Sequence, residues 1–273
     1  MHLCYPLFLL FLITASAQSA APEILVTALH DMQWQVRYDF DAPVTSFRFA
    51  RTPDDSRRRD WLPDIGFEIV AAEGGDLARR KDGRTFKSVR FRMSPKYEAL
   101  PKDYAPFSPF SDGSTLFHTG RFFACTDACA DDATWSITLW AGTDDHIVVN
   151  GKLLQAEASW TDRGDGQMVY IGRQTPERTQ NFMAIIDPGL PEQIRSLLLA
   201  QLPRIEHTFA QKLHARSTAP TLFVSYDAKQ ADGWGKQGGV LPGQAFIHFH
   251  GEQWVEELKS AGFADKLDGL AWP

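Results

Sequence analysis

Polar and apolar residues alternate along much of the first two thirds of the chain. In VTSFRFA, residues 44–50, Phe47 and Phe49 lie on one face and Arg48 on the other, as in a half-buried antiparallel strand. We therefore predict an all-β N-terminal domain over residues 21–187, built as an antiparallel sandwich or saddle. Seven further segments are rich in β-branched or aromatic residues and are separated by turn residues: ILVTALH, QWQVRYDF, KSVRFRM, SITLWAG, HIVVNGK, QMVYIGR and NFMAIID.

The pattern becomes helical after IDPG, residues 186–189. Apolar residues then recur at helical spacing in one stripe, which Pro203 is expected to kink or divide. A strand (TLFVSYD), a glycine-rich loop (GWGKQGG), an outer strand (QAFIHFH) and a second helix (WVEELKSAGFADKLDG) follow. Residues 188–273 are thus predicted to be a partial α+β segment, and the fold as a whole mostly β. The stripe consists of Ile194, Leu197, Leu198, Leu202, Ile205, Phe209 and Leu213.

The composition is that of a globular protein. Of the 273 residues, 44% are hydrophobic and 23% are charged, and the formal net charge is −6. A chain with this negative charge gives no reason to expect nucleic acid or an anionic membrane as a partner.

Residues 1–20 have the pattern of a secretory signal peptide. An apolar run from Leu3 to Ile13 precedes small residues in Ala-x-Ala-like order, so cleavage is expected after Ala17 or Ala20. The run is shorter than the roughly 20 apolar residues that span a bilayer. We expect an exported protein, periplasmic or secreted, with no membrane span after cleavage. The alternative is a buried N-terminal strand.

Cys125 and Cys129 lie in a polar loop after an aromatic strand. In an oxidising compartment we expect them to form a local disulfide. Because so short a loop removes little chain entropy, the bond should fasten the loop more than the fold. Free or metal-bound thiols are the alternative, but a zinc site needs further ligands and the sequence has no second Cys pair.

His248 and His250 are the most suggestive candidates for chemistry. On a strand their side chains share one face, and Glu252 can join them there, so that a metal ion would have suitable ligands. The 23 residues after His250 contain no histidine, however, and the remaining histidines are scattered. We expect packed, hydrogen-bonded histidines and no metal site, with metal binding by His248 and His250 as the alternative.

Other catalytic patterns are absent from the sequence. It contains no Gly-x-Ser-x-Gly motif and no phosphate-binding loop ending in Gly-Lys-Ser/Thr. The adjacent carboxylates at 131–132 and 144–145 stand at turns, where such pairs are usually solvated. We predict no catalytic residue.

The order of these elements resembles the start of a gluzincin zinc aminopeptidase, of the membrane-alanyl or glycyl type. In that family a β saddle leads into a thermolysin-like domain that begins with a helix and a small sheet. The strand after a glycine-rich loop borders the substrate cleft there, and GGVLPGQAFIHFHG occupies that position. The resemblance thus implies that the cleft edge is formed by Gly238, Gly239, Gln244, Phe246 and His248.

The family's chemistry is missing from this sequence. Neither the zinc-binding His-Glu-x-x-His motif nor the substrate-binding Gly-x-Met-Glu-Asn motif occurs. We therefore expect an exported, non-catalytic fragment or paralogue without a cofactor, zinc being expected only in a full-length relative. Its partner would be a peptide, a protein or a missing catalytic segment. The alternatives are a periplasmic peptide- or protein-binding β module and a metal-dependent enzyme that uses His248 and His250.

Overall fold

The fold is mostly β, as the sequence predicts. The computed structural model describes residues 21–29, 32–100, 103–178, 183–200, 220–229 and 235–251. Its helical elements are α1 (Ser56–Asp60), a 3₁₀ turn (Thr119–Arg121) and α2 (residues 192–200). The strands are β1 (Glu23–Ala28), β2 (Trp34–Val44), β3 (Ser46–Phe49), β4 (Leu62–Pro63), β5 (Phe67–Ala72), β6 (Gly75–Arg80), β7 (Phe86–Met93), β8 (Phe107–Pro109), β9 (Thr115–His118), β10 (Ala124–Cys125), β11 (Thr134–Trp140), β12 (His146–Val149), β13 (Lys152–Gln155), β14 (Glu157–Arg163), β15 (Met168–Gly172), β16 (Glu177–Arg178), β17 (Met183–Ile186), β18 (Thr221–Asp227), β19 (Gly235–Leu241) and β20 (Gln244–His250).

The described strands form four sheets. The first sheet has the order β14-β11-β1-β2-β7-β4, the second β10-β3-β6-β5, the third β13-β12-β15-β9-β8 and the fourth β16-β17-β18-β20-β19. Pairing in the first three sheets is antiparallel except between β1 and β11. In the fourth sheet β17, β18 and β20 run parallel, and the outer strands β16 and β19 are antiparallel to them.

An aromatic core joins the first three sheets. Phe47 and Phe49, which the alternation places on one face, are 0% and 1% exposed. Their rings contact that of Tyr38, whose hydroxyl donates a hydrogen bond to the Phe122 carbonyl at 3.0 Å. Such pairs of aromatic rings add directional contacts to the apolar area that they bury. The core therefore explains why this half of the chain is so rich in phenylalanine.

The fourth sheet is covered on both faces. On one face, Met183, Ile185 and Phe223 pack against side chains of the third sheet, including Tyr170. On the other, the sheet packs against α2, in which Ile194 is fully buried. Ile194 and Leu198 of the predicted helical stripe are thus confirmed as core residues, while Leu202 to Leu213 and Pro203 lie outside the described residues.

Two sequence-based predictions about the fourth sheet are wrong. The second half of the expected loop GWGKQGG forms the start of the strand Gly235–Leu241, which pairs with Gln244–His250. Consequently the His-x-His strand is not an outer strand, because it lies between β18 and β19. In the third sheet, the segment HIVVNGK is expected to be one strand but is divided by a turn at Asn150 and Gly151. Both residues have positive φ, the geometry that favours Asn-Gly in hairpins.

The predicted disulfide between Cys125 and Cys129 is present, with a Cα–Cα distance of 5.4 Å. The expected signal peptide and C-terminal helix lie outside the described residues. The domain boundary after residue 187 stays a prediction, and β17, on one side of it, is hydrogen-bonded to β18 on the other. Within the described ranges, no helix has the length and apolarity needed to cross a bilayer.

Candidate functional site

The candidate site surrounds β19, the outer strand of the fourth sheet. Its residues 236–238 and Val240 are exposed, and no described strand pairs with its outer side. An edge strand directs alternate backbone N–H and C=O groups away from its sheet, where an added strand can bind them. Residues 237–240 therefore form a surface suited to pairing with another segment.

Glycine in β19 is required by the aromatic side chains of β20. A Cβ atom on Gly239 would lie 2.7 Å from the ring carbon Cζ of Phe246, and one on Gly235 would lie 2.9 Å from the ring of His250. Gly238 is constrained by the backbone of β20 and not by a ring, since its Cβ would meet the Phe246 carbonyl oxygen at 2.6 Å. The glycines thus let β20 rings cover the strand, which is why a glycine-rich sequence forms a strand here.

Residues 94–100 and 103–106, the described parts of the connection between β7 and β8, lie against this part of the sheet; we call these residues the strap. The Tyr97 ring stacks on that of His248 with centroids 3.6 Å apart, and its hydroxyl donates a hydrogen bond to the side-chain oxygen of Gln237. Tyr104 packs edge-on against Phe246 at 5.5 Å. Two tyrosines of the strap are thereby fastened to β19 and β20.

Two cavities flank the stacked rings of Tyr97 and His248. One, of about 480 Å³, lies beside β19 and is lined also by Tyr104, Phe246 and Gly238. The other, of about 870 Å³, lies at the carboxyl ends of the parallel strands, where Tyr226 to Lys229 line it. Both volumes fall in the range of small-ligand pockets. We call the smaller one the edge cavity.

The predicted cleft residues occupy different places around the edge cavity. Gly238, Phe246 and His248 line it. Gly239 is paired with Phe246 across the two strands. Gln244 instead bridges the fourth and third sheets, since its amide accepts a hydrogen bond from the Met168 N–H and donates one to the Met168 carbonyl, both at 2.8 Å.

His248 is held as a neutral imidazole. Burial, with a smaller contribution from His250, lowers the pKa of His248 to about 3. Its Nδ1 atom lies 2.9 Å from the Ser225 hydroxyl on the neighbouring strand. The ring centroid of His250 is 5.9 Å away, so the two histidines do share a face, as the alternation indicates.

These histidines do not fit a zinc site of the aminopeptidase type. Such a site takes two histidines one helical turn apart, a third protein ligand and a glutamate base. Here both lie on a strand, and His248 is stacked against Tyr97 and hydrogen-bonded to Ser225. Among the described residues, no three His, Cys, Asp or Glu side chains group together as potential metal ligands.

A charged group forms the far wall of the edge cavity. Asp103 forms a 2.6 Å ion pair with Arg51, which also bonds Asp165 at 2.7 Å. The Arg51 guanidinium lies 5.7 Å from the ring centre of the neighbouring Tyr104. One arginine thus pairs with two carboxylates, so the group as a whole keeps one net negative charge. Nothing in the sequence spacing relates the strap or Arg51 to β19.

Comparison with solved structures identifies the architecture. A crystal structure of an aminopeptidase N family protein from Idiomarina loihiensis matches 88% of this chain with a TM-score of 0.54 and 10% sequence identity. The chain has an aminopeptidase N-type fold. The resemblance expected from the order of elements is thereby confirmed for the fold, with its mostly β N-terminal part. The match spans 43% of that protein.

A second similar structure is yeast LTA4 hydrolase in complex with bestatin, with 11% identity over 93% of this chain and 43% of that one. Its TM-score of 0.48 does not establish a shared fold for this pair. No protein-family model and no curated protein matches the chain by sequence.

Proposed function

We propose that this chain is an exported, non-catalytic protein of aminopeptidase N-type fold that binds an extended peptide along β19. The observation that carries the proposal is the exposed outer strand beside an aromatic cavity. A peptide that adds to a sheet edge gains main-chain hydrogen bonds, while pockets beside the edge select its side chains. The edge and the edge cavity provide these two elements together.

The chemistry of the edge cavity favours an apolar or aromatic peptide side chain. Tyr97, Tyr104 and Phe246 supply aromatic wall. Asp103 is ion-paired with Arg51, and the lowered pKa of His248 keeps that ring uncharged at neutral pH. Aromatic anchors in such pockets account for much of the affinity in peptide complexes.

The proposed role is binding because the residues present suit no hydrolytic step. The sequence lacks the His-Glu-x-x-His motif, and His248 and His250 do not fit the zinc arrangement. Export is supported by the apolar N-terminal run and by the disulfide between Cys125 and Cys129, since disulfides persist mainly in oxidising compartments.

Peptide binding is tested with a phage-displayed library of random decapeptides, followed by calorimetry with the selected synthetic peptides. We expect enrichment of peptides with an aromatic or large apolar residue. Tyr104→Ala should weaken binding about tenfold or more, because it removes one aromatic wall. Trp140→Ala is the matched control, since Trp140 is an aromatic residue 46% exposed on the first sheet.

The site of binding is checked on the unaltered protein by amide hydrogen exchange. Bound peptide should slow exchange in residues 237–240 by about tenfold or more, because strand addition protects outward N–H groups. Selected peptides that leave these amides unchanged would contradict the proposal, even if Tyr104→Ala fails to fold.

The non-catalytic role is tested separately. Calorimetric titration with Zn²⁺ and an assay with fluorogenic aminoacyl amides should give no stoichiometric binding and no turnover. One bound zinc together with hydrolysis that is lost in His248→Ala would refute this part.

Export is checked by N-terminal sequencing of the protein from its source. Cleavage after Ala17 or Ala20 would leave a mature chain that begins at Gln18 or Ala21. An intact Met1 would count against export.

A further inference from the structure

A cluster of buried charges lies next to α1, away from the edge cavity. Arg57 is fully buried, with its guanidinium 4.0 Å from the centre of the Phe49 ring and paired with Asp76 at 3.2 Å. Its second nitrogen donates to the Arg121 carbonyl at 2.8 Å. Arg58 also bonds Asp76. Two cations thus share one fully buried carboxylate.

Arg121 has unused hydrogen-bonding capacity. Its side chain is 1% exposed, and its Nη2 donates to the Ser56 hydroxyl at 2.8 Å and lies 3.5 Å from Asp54. Its Nε and Nη1 have no hydrogen-bond partner among the described residues. Buried guanidinium donors are normally satisfied by protein, water or an ion.

A small space lies beside Arg121. The cavity has a volume of about 20 Å³ and is lined by Arg121, Ser56, Trp61 and Phe107. A single water needs roughly 10–15 Å³ of such volume, so the space has room for one guest of about that size. Size therefore limits the guest to a water molecule or a monatomic ion.

The balance of charge favours an anion over water. The cluster has three cations, Arg57, Arg58 and Arg121, in contact with two carboxylates, Asp76 and Asp54, which leaves one positive charge in excess. Two carboxylates also line the cavity, Asp60 and Glu98, but each is ion-paired with a cation. Asp60 pairs with Lys96 at 2.8 Å, and Glu98 with Arg59 at 2.9 Å. A buried excess of positive charge is costly unless it is compensated.

We propose that a chloride ion occupies this cavity and accepts hydrogen bonds from the free guanidinium donors of Arg121. The ion compensates the excess buried charge and satisfies donors that no described residue reaches. This site is distinct from the edge cavity and does not depend on peptide binding.

The chloride would also fasten the strap. Ser94, Lys96, Glu98 and Pro106 of the strap line the same cavity, and Tyr97 between them stacks on His248 at the edge cavity. Filling the chloride site therefore holds the segment that positions Tyr97. Halide concentration becomes a second influence on the edge cavity in addition to peptide.

The experiment compares thermal unfolding of the protein in sodium chloride and in sodium gluconate at equal ionic strength. Chloride should raise the Tm saturably, by about 3–6 °C at ten times its dissociation constant. Bromide should act similarly, whereas gluconate should not, because it is too large for the cavity. Arg121→Met should abolish the difference between the two salts. Arg90→Met should retain it, since Arg90 is an exposed arginine paired with Asp64.

If Arg121→Met does not fold, the chloride site is tested by X-ray diffraction from crystals of the unaltered protein soaked in bromide. An anomalous peak within hydrogen-bonding distance of the Arg121 guanidinium is the expected result. Water in the cavity with no bromide peak after soaking, or equal stabilisation by chloride and gluconate, would overturn the proposal.

Discussion

The first and fourth sheets use different patterns to bury apolar side chains. In the first sheet β7 alternates, with Phe86, Val89, Phe91 and Met93 buried and the residues between them exposed. In the fourth sheet all of β17 and six of the seven residues of β18 are buried. The first sheet has one apolar face, whereas the fourth packs on the third sheet and on α2. The fourth sheet therefore depends on the third sheet for the burial of one of its faces.

This dependence predicts that two regions, the first three sheets and the fourth sheet, unfold together. Phe47 lies in the core of the first three sheets and Phe223 between the third and fourth, and both are 0% exposed. Phe47→Ala and Phe223→Ala should each lower the free energy of unfolding by about 3–5 kcal/mol. Both should shift one common transition in urea, measured by circular dichroism and tryptophan fluorescence.

The matched control is Ile65→Ala, because Ile65 is 103% exposed and its loss should change stability by less than about 0.5 kcal/mol. Two separate transitions, with Phe47→Ala affecting one and Phe223→Ala the other, would mean that the two regions are independent domains.

Asp187 links the two regions through hydrogen bonds rather than apolar contact. Its carboxylate accepts hydrogen bonds from the N–H groups of Ser111 (2.9 Å), Gly189 (2.8 Å) and Tyr226 (3.0 Å), and from the Ser111 hydroxyl. Asp187→Ala should therefore cost about 3 kcal/mol in urea unfolding, because it leaves buried donors unsatisfied.

Asp82→Ala serves as the control for this change, since Asp82 is an exposed carboxylate paired with Arg80 and should contribute much less to stability than Asp187. Burial raises the pKa of Asp187, and its hydrogen-bond donors oppose that rise. The contribution of Asp187 to stability should therefore decrease as the pH rises from the unfolded pKa to the folded one. If Asp187→Ala and Asp82→Ala lower the free energy of unfolding equally, the hydrogen bonds of Asp187 do not link the two regions.

Each region also contains a buried histidine whose surroundings disfavour protonation, His118 in the third sheet and His248 in the fourth. Burial, and next to it Arg51, lowers the pKa of His118 to about 3, and burial with His250 lowers that of His248 to about 3. Below a pH of about 6.5 the unfolded chain binds protons that the folded one excludes, so stability falls as the pH decreases. Between pH values of about 6.5 and 5 each histidine should remove up to about 2 kcal/mol.

The test measures urea unfolding of His118→Leu and His248→Leu at pH values of about 7 and 5. Each variant should show a smaller difference between the two pH values than the unaltered protein, by up to about 2 kcal/mol. If a variant keeps the full difference, that histidine is accessible to protons in the folded state.

Sequence patterns predict the two regions unequally for physical reasons. Alternation at Ser46–Phe49 reports one-sided burial directly, and the structure confirms it. Two-sided burial in β17 and β18 leaves no alternation, although β-branched and aromatic residues still indicate strands. The contact of Tyr97 with Gln237 joins residues 140 positions apart. The burial of Arg57 likewise depends on Arg121, 64 positions away. No local pattern contains either contact.

The glycines of β19 indicate a loop when the sequence is considered alone, because the reason for them lies on the neighbouring strand. A Cβ on Gly239 would lie 2.7 Å from the Phe246 ring and 3.3 Å from that of Tyr104. Gly239→Ala should therefore destabilise the protein by about 1–2 kcal/mol, whereas Val240→Ala, at an exposed position of the same strand, should cost less. In a Phe246→Leu background, which removes the ring, the cost of Gly239→Ala should largely disappear in a double-mutant cycle. Additive effects would mean that Gly239 is required for its backbone freedom and not for the close approach of Phe246.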